Sequence, residues 1–250
     1  AVRADGDYYW ARETLAALPP TRTVTPTRTR KPTATLTSTP TATLTVTPTM
    51  TATVPPPTPS YTPSPEQFVL KGVTTRPKRY NLNCEARSAV DMAAFFGFTI
   101  DETDFTQKLP ISDDPQVGFV GSPYDYAGNI PPYSYGVYPE PVAALLRSYG
   151  VNATARDKYT WDQLTGEIAN GRPVMVWVVS AVVWGKPVMY TAESTGNTYP
   201  VVPLEHTVIV SGYGPDWVLI SDSGDRYYRS KQQFIDSWGT MGNLALTIHP

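Results

Sequence analysis

Threonine occupies every odd position from Thr33 to Thr53, with Pro, Ala, Leu and Val among the residues between. The alternation has the period of a strand, but Pro26, Pro32, Pro40 and Pro48 break the segment and its apolar side chains are small. Proline cannot donate to a ladder, and a Thr/Pro run with few large side chains cannot bury enough surface to offset chain entropy. Residues 21–65 are therefore expected to form a disordered Thr/Pro-rich linker or stalk, of a composition that suits O-glycosylation. Its Arg22, Arg28, Arg30 and Lys31 read as solvated charges. Residues 1–20 hold DYYWARETLAAL, a short, weakly ordered segment stopped at Pro19-Pro20. Residues 66–250 remain, long enough for one substantial core.

This globular part reads as helices followed by strands. After an opening strand, QFVLKGV, comes CEARSAVDMAAFFG, a helix that starts near Cys84 and is stopped by Gly97. PEPVAALLRSYG has Pro in its first turn and Gly150 at its end. TWDQLTGEIANG has Thr160 and Gln163 at capping-box spacing, as Ser230 and Gln233 have in SKQQFIDSW. PVMVWVVSAVV is a β-branched run suited to a buried strand. KPVMYTA, HTVIVSGY, WVLISDS, RYYR and NLALTI complete the set, with Gly214-Pro215-Asp216 turning HTVIVSGY into WVLISDS as a hairpin. Helices first and an antiparallel sheet second make an α+β fold rather than a βαβ repeat.

The chain has a single cysteine, so no internal disulfide is possible, and a lone Cys in an exported protein is either paired between chains or a reactive thiol. A nucleophilic thiol needs its anion favoured by a helix N-terminus or a neighbouring imidazolium. Cys84 stands where its helix begins, with unsatisfied N–H groups around it. Of the two histidines, His249 is next to the C-terminus, whereas His206 opens the strand HTVIVSGY. The end of the next strand lies beside the start of this one, so Asp222 can orient the imidazole, with Asp225 as the competing residue. Taken singly, each of the three has a structural explanation: a buried thiol, a structural imidazole, a turn carboxylate. Their order on helix, strand and strand is what points to a catalytic triad.

NLNCEARSAVDMAAFFG, GFVGSP, YGVYPEPVAALLRSYG, GRPVMVWVV, EHTVIVSGYG and DSWGTMGN together resemble bacterial C-thirty-nine-like cysteine peptidases of the bacteriocin-processing type. The resemblance spans nearly all of residues 66–250 and none of the stalk. It implies a papain-like fold with the nucleophile at Cys84, its base at His206 and the orienting acid at Asp222. Relatives commonly carry a Gln before the Cys as oxyanion donor. Here the region reads PKRYNLN, leaving Asn81 or Asn83 as oxyanion candidates beside the Cys84 backbone N–H. Many relatives also carry Gly-Pro after the Cys, where this chain has Glu85. A carboxylate there opposes a thiolate if it points inward, so Glu85 is expected to face solvent and Glu205 to lie at the surface.

The expected activity is that of a cysteine peptidase, extracellular or at the cell surface, acting on a peptide or protein through a Cys84 thioester. GFVGSPYDYAGNIPPYSYGVYPE is a candidate cleft wall, with Tyr124, Tyr126, Tyr133 and Tyr135 as its candidate lining. The alternatives are a catalytically inactive papain-like binding or adhesion module, and a cell-wall amidase or transpeptidase using the same site. No metal-ligand spacing, phosphate loop or dinucleotide fingerprint occurs, so no cofactor and no metal are expected. A net charge of −2 gives no reason to expect nucleic acid as partner. No apolar run reaches the roughly 20 residues of a transmembrane helix, so any cell-surface attachment is expected through the stalk. The chain opens at Ala1 without a basic and apolar leader, which suggests a removed signal peptide or a fragment.

Overall fold

A computed structural model describes residues 65–250. The expected segment at 1–20 and, apart from Pro65, the expected linker at 21–65 lie outside the described residues.

The elements run in the order β1 (Phe68–Val69), α1 (Cys84–Phe95), α2 (Glu102–Lys108), α3 (Pro139–Ser148), β2 (Ala153–Arg156), α4 (Trp161–Ala169), β3 (Val174–Val179), β4 (Val188–Thr191), β5 (Thr198–Val201), β6 (Glu205–Tyr213), β7 (Trp217–Asp222), β8 (Asp225–Ser230), α5 (Lys231–Thr240) and β9 (Ala245–Ile248). The α+β arrangement expected from the sequence is the one observed. Among the described residues, one antiparallel sheet has the order β2-β9-β3-β6-β7-β8, with β1 alongside β6, and β4-β5 form a separate ribbon.

Local chemistry accounts for most of the boundaries. Gly97 follows α1 at φ +88, a conformation open to glycine without a Cβ penalty. Both halves of the capping box at Thr160 and Gln163 form. The box at Ser230 is half made: its Oγ accepts from Gln233 N at 3.1 Å, but the Gln233 side chain donates to Val182 O at 2.8 Å instead. Three short elements carry weak sequence signals. Helix α2 is seven residues capped by Asp101, β2 is four residues at the sheet edge, and β5 contains Pro200.

Every residue of β3 is buried, and the three strands β9, β3 and β6 form the middle of the core. Fully burying a side chain such as Val176 or Ile209 contributes about 1.5–3 kcal/mol. Helix α1 packs on β6 and β3, and α5 packs on β3. Trp177 in β3 donates Nε1–H to Val137 O at 2.8 Å, tying the segment before α3 onto the sheet. This sets α1, the residue-130s segment and the start of β6 against one another, where the candidate site lies.

Candidate active site

Cys84 is the first residue of α1, so its backbone N–H has no intrahelical acceptor. The loop before it is held by charge. Asn83 Oδ1 accepts from Tyr80 N at 3.2 Å, and Asn83 Nδ2 donates to Glu102 Oε1 at 2.8 Å. Glu102 also accepts from Arg79 N at 2.9 Å and from Arg87 Nη1 at 2.5 Å. Arg87 in turn pairs with Asp91 at 2.6 Å, and Asp91 receives Arg76 Nε at 2.9 Å. One N–H of the Asn83 amide is thus engaged with Glu102, and the side chain is buried. Asn81 is exposed, with its carbonyl accepting from Lys78 Nζ at 2.6 Å.

His206 lies near the start of β6 and Asp222 ends β7. Their side chains meet: His206 Nε2 is 2.9 Å from Asp222 Oδ1. Asp222 Oδ2 accepts from Tyr227 Oη at 3.1 Å, a partner that sequence reasoning missed. Burial works to raise the Asp222 carboxyl, but the bonds from His206 and its other donors prevail and hold it below the usual range. Asp225 is exposed at the start of β8 and is the ladder partner of Asp222. His249 bonds Glu167 at 3.1 Å, on α4. Helix α1 meets β6 through Ser88, whose Oγ donates to Thr207 O at 3.2 Å.

The thiol itself faces acid rather than imidazole. Cys84 is buried, and its Sγ–H donates to Glu85 Oε2 at 3.2 Å. Burial pushes the thiol well above its ordinary value, and the nearby Glu85 and Glu205 carboxyls push it further, with Lys78 opposing. The helix start alone predicts the reverse. Desolvation and two adjacent acids outweigh it here.

Glu85 and Glu205 are the largest departures from expectation, since both are buried rather than at the surface. Nearly all of α1, from Cys84 to Ala93, is buried, so its first turn has no solvent side. Glu85 Oε1 accepts from Val137 N at 2.7 Å. Successive strand residues point to opposite sides, so His206 turns to Asp222 while Glu205 turns inward. Neither oxygen of Glu205 has a hydrogen-bond partner among the described residues. Burial raises both carboxyls, and Glu205 well above its ordinary value. Cys84, Glu85 and Glu205 each place one polar atom within 4.8 Å of the others, the one group of three such side chains this close among the described residues.

Of the four tyrosines, Tyr124, Tyr126 and Tyr133 are exposed, but Tyr135 is in the core, its hydroxyl 3.4 Å from that of Tyr138. Tyr135 is therefore not a cleft residue. Tyr124 packs edge-on against Tyr80 at 4.8 Å, and Leu82 N bonds Pro123 O at 3.0 Å, so this loop borders the residues leading to Cys84. Tyr80 joins the candidate wall on that contact.

An uncharacterized protein of Bacillus subtilis (strain 168), YvpB, is 26% identical over 205 residues, which is 74% of this chain and 75% of that protein. A crystal structure from Bacillus anthracis, described as a C39-like peptidase, superposes with a TM-score of 0.66 at 21% identity, covering 74% of this chain and 98% of that one; the likeness is one of fold. The profile of the Peptidase_C39 like family matches residues 71–246. With most of its length inside that match, the chain belongs to the Peptidase_C39 like family.

Proposed function

We propose that this chain is a cysteine peptidase that hydrolyses peptide bonds through a thioester at Cys84, with His206 as base and Asp222 orienting it. Family membership supports the peptidase class. The observation that carries the residue roles is the bond between His206 Nε2 and Asp222 Oδ1. It fixes the tautomer and leaves Nδ1 to take a thiol proton. In this reading Cys84 Sγ rotates from Glu85 toward His206, transfers its proton and attacks the substrate carbonyl carbon. The C–N bond breaks as the leaving amine takes the proton from the imidazolium. Water, deprotonated by His206, then cleaves the thioester and regenerates the thiol. The Cys84 N–H and the side chain of Asn81 are the oxyanion donors proposed. Tyr80, Tyr124, Tyr126 and Tyr133 border the substrate path.

The Thr/Pro composition of residues 21–65 supports a place outside the cell or at its surface, with the stalk as spacer. Shaving of intact cells with an added protease would release the domain if this is so, and leave it untouched if it is inside.

One observation favours a second reading: a buried, neutral thiol suits a binding module without turnover. A quenched-fluorescent peptide library separates the two. Hydrolysis by the intact chain, lost in Cys84→Ala and His206→Ala, supports the peptidase. Absence of cleavage, or cleavage that survives Cys84→Ala, sinks it.

A further inference from the structure

We propose that Glu85 and Glu205 hold one proton between them and act as a positioning pair for Cys84, with ionised Glu85 gripping the thiol and Glu205 carrying the proton. The proposal deepens the peptidase reading, and rests on it only in making Cys84 the nucleophile.

The assignment follows from the donors each acid has. Glu85 accepts from Val137 N–H at 2.7 Å and from the Cys84 thiol at 3.2 Å, and donors of this kind stabilise an anion. Glu205 receives none among the described residues although it is buried, and an isolated buried carboxylate sheds its charge by protonation. The two cannot both ionise cheaply, because like charges this close in a dry site repel. Gly136 shows how tightly they sit. A Cβ there would overlap Glu85 Oε1 and come within 2.7 Å of Glu205 Oε2, so both acids lie against its bare Cα. Both are also pushed upward by burial, Glu205 the further, as this sharing requires.

The charges facing the pair are consistent with one net negative charge. From the loop before α1, Lys78 acts on both Cys84 and Glu205, with its Nζ bonded to Asn81 O. His206 on β6 acts on Glu85. Tyr135 and Tyr138, from the segment before α3, both feel Glu205 and are held protonated by burial. Ionised Glu85 then keeps Cys84 as a neutral thiol turned away from His206. The resting site is latched, and attack requires the thiol to leave Glu85.

The test is the rate of Cys84 alkylation by iodoacetamide against pH, in the full chain and in Glu85→Gln and Glu205→Gln, with melting temperatures alongside. Glu85→Gln removes a full charge next to sulfur, so alkylation at pH 7 should rise roughly 10- to 100-fold and its midpoint should fall. Glu205→Gln imitates the protonated acid, so its rate at pH 7 should stay within about 3-fold of wild type. This asymmetry is not what a merely structural pair would give. An unmoved profile in Glu85→Gln, or an equal rise in both variants, overturns the proposal. Should Glu85→Gln fail to fold, carbon-13 signals of the glutamate carboxyls in wild type decide. One signal in the protonated range at pH 7, absent from Glu205→Gln, supports the shared proton, and two ionised carboxylates overturn it. A stoichiometric metal in the purified protein that Glu205→Gln loses would also overturn it. Alkylation needs no turnover, so a chain that cleaves no peptide can still pass, and an active peptidase can still fail.

Discussion

His206 bonds Asp222 diagonally across the β6–β7 ladder, not straight across it. The register pairs Ile209 with Ser221 and Val210 with Ile220, so one further step sets Asp222 opposite Val208. His206 lies two residues beyond Val208 on the same face, within reach of a diagonal neighbour, and its Nε2 stands 2.9 Å from Asp222 Oδ1.

If this bond orients the base, Asp222→Asn should lower kcat for peptide hydrolysis by about 10²–10⁴ while leaving KM nearly unchanged. Asp225→Asn, at the exposed start of β8, should stay within about 3-fold of wild type. Comparable losses in both, measured on one fluorogenic peptide, would show that the β7–β8 hairpin as a whole and not the bond is what matters.

Much of this could be read in the chain before folding. Cys84, His206 and Asp222 each sit at the end of an element whose own signals are strong, so the topology that joins the last two was legible. The environment of the thiol was not. Strand alternation says that Glu205 points away from His206's side, but whether that side is wet depends on Gly136 and Val137, about 70 residues earlier, folding over it. Tyr135 and Tyr133 show the same limit: two residues apart in one loop, one is in the core and the other in solvent. Helix α2 escaped because seven residues with one anchor, Phe105, make no period.

The titrating groups give stability a two-sided pH dependence. Asp222 is held low in the folded state, so it contributes stability above its unfolded value, about 3.9, and that contribution is lost as pH falls through the folded value. Glu205 is held high, so its effect runs the other way. Its contribution is full below about 4.3 and is lost as pH rises through the folded value. Urea unfolding at several pH values should show a flatter alkaline side in Glu205→Gln and a flatter acid side in Asp222→Asn. An alkaline slope identical to wild type in Glu205→Gln would remove that acid from the account.

Arg87 neutralises two acids at once, Asp91 and Glu102, with its side chain 5% exposed. Removing one partner of a buried ion pair costs about 3–5 kcal/mol because the other charge stays buried. Arg87→Ala should therefore lose about 3 kcal/mol in urea unfolding, the low end because Asp91 keeps Arg76 as a partner. It should also lower peptide hydrolysis, because Glu102 holds Asn83 directly before the nucleophile. A loss under about 1 kcal/mol would mean that water reaches these carboxylates.

Gly136 adopts φ +145, a conformation that side chains rarely enter, and its Cα faces the acid pair. Gly136→Ala combines backbone strain with overlap in a packed site, for an expected loss of about 2–4 kcal/mol. The new methyl must displace Glu85 Oε1, which also accepts from Val137 N. Displacement weakens the carboxylate's hold on Cys84, so the same substitution should speed alkylation of the thiol as it lowers stability. Glu205→Ala in the same chain opens space on one side of the methyl, so the double variant should be more stable than the sum of the two single losses predicts. Strict additivity, with alkylation unchanged, would mean that the backbone at Gly136 carries the whole effect and that the methyl never reaches the carboxyls.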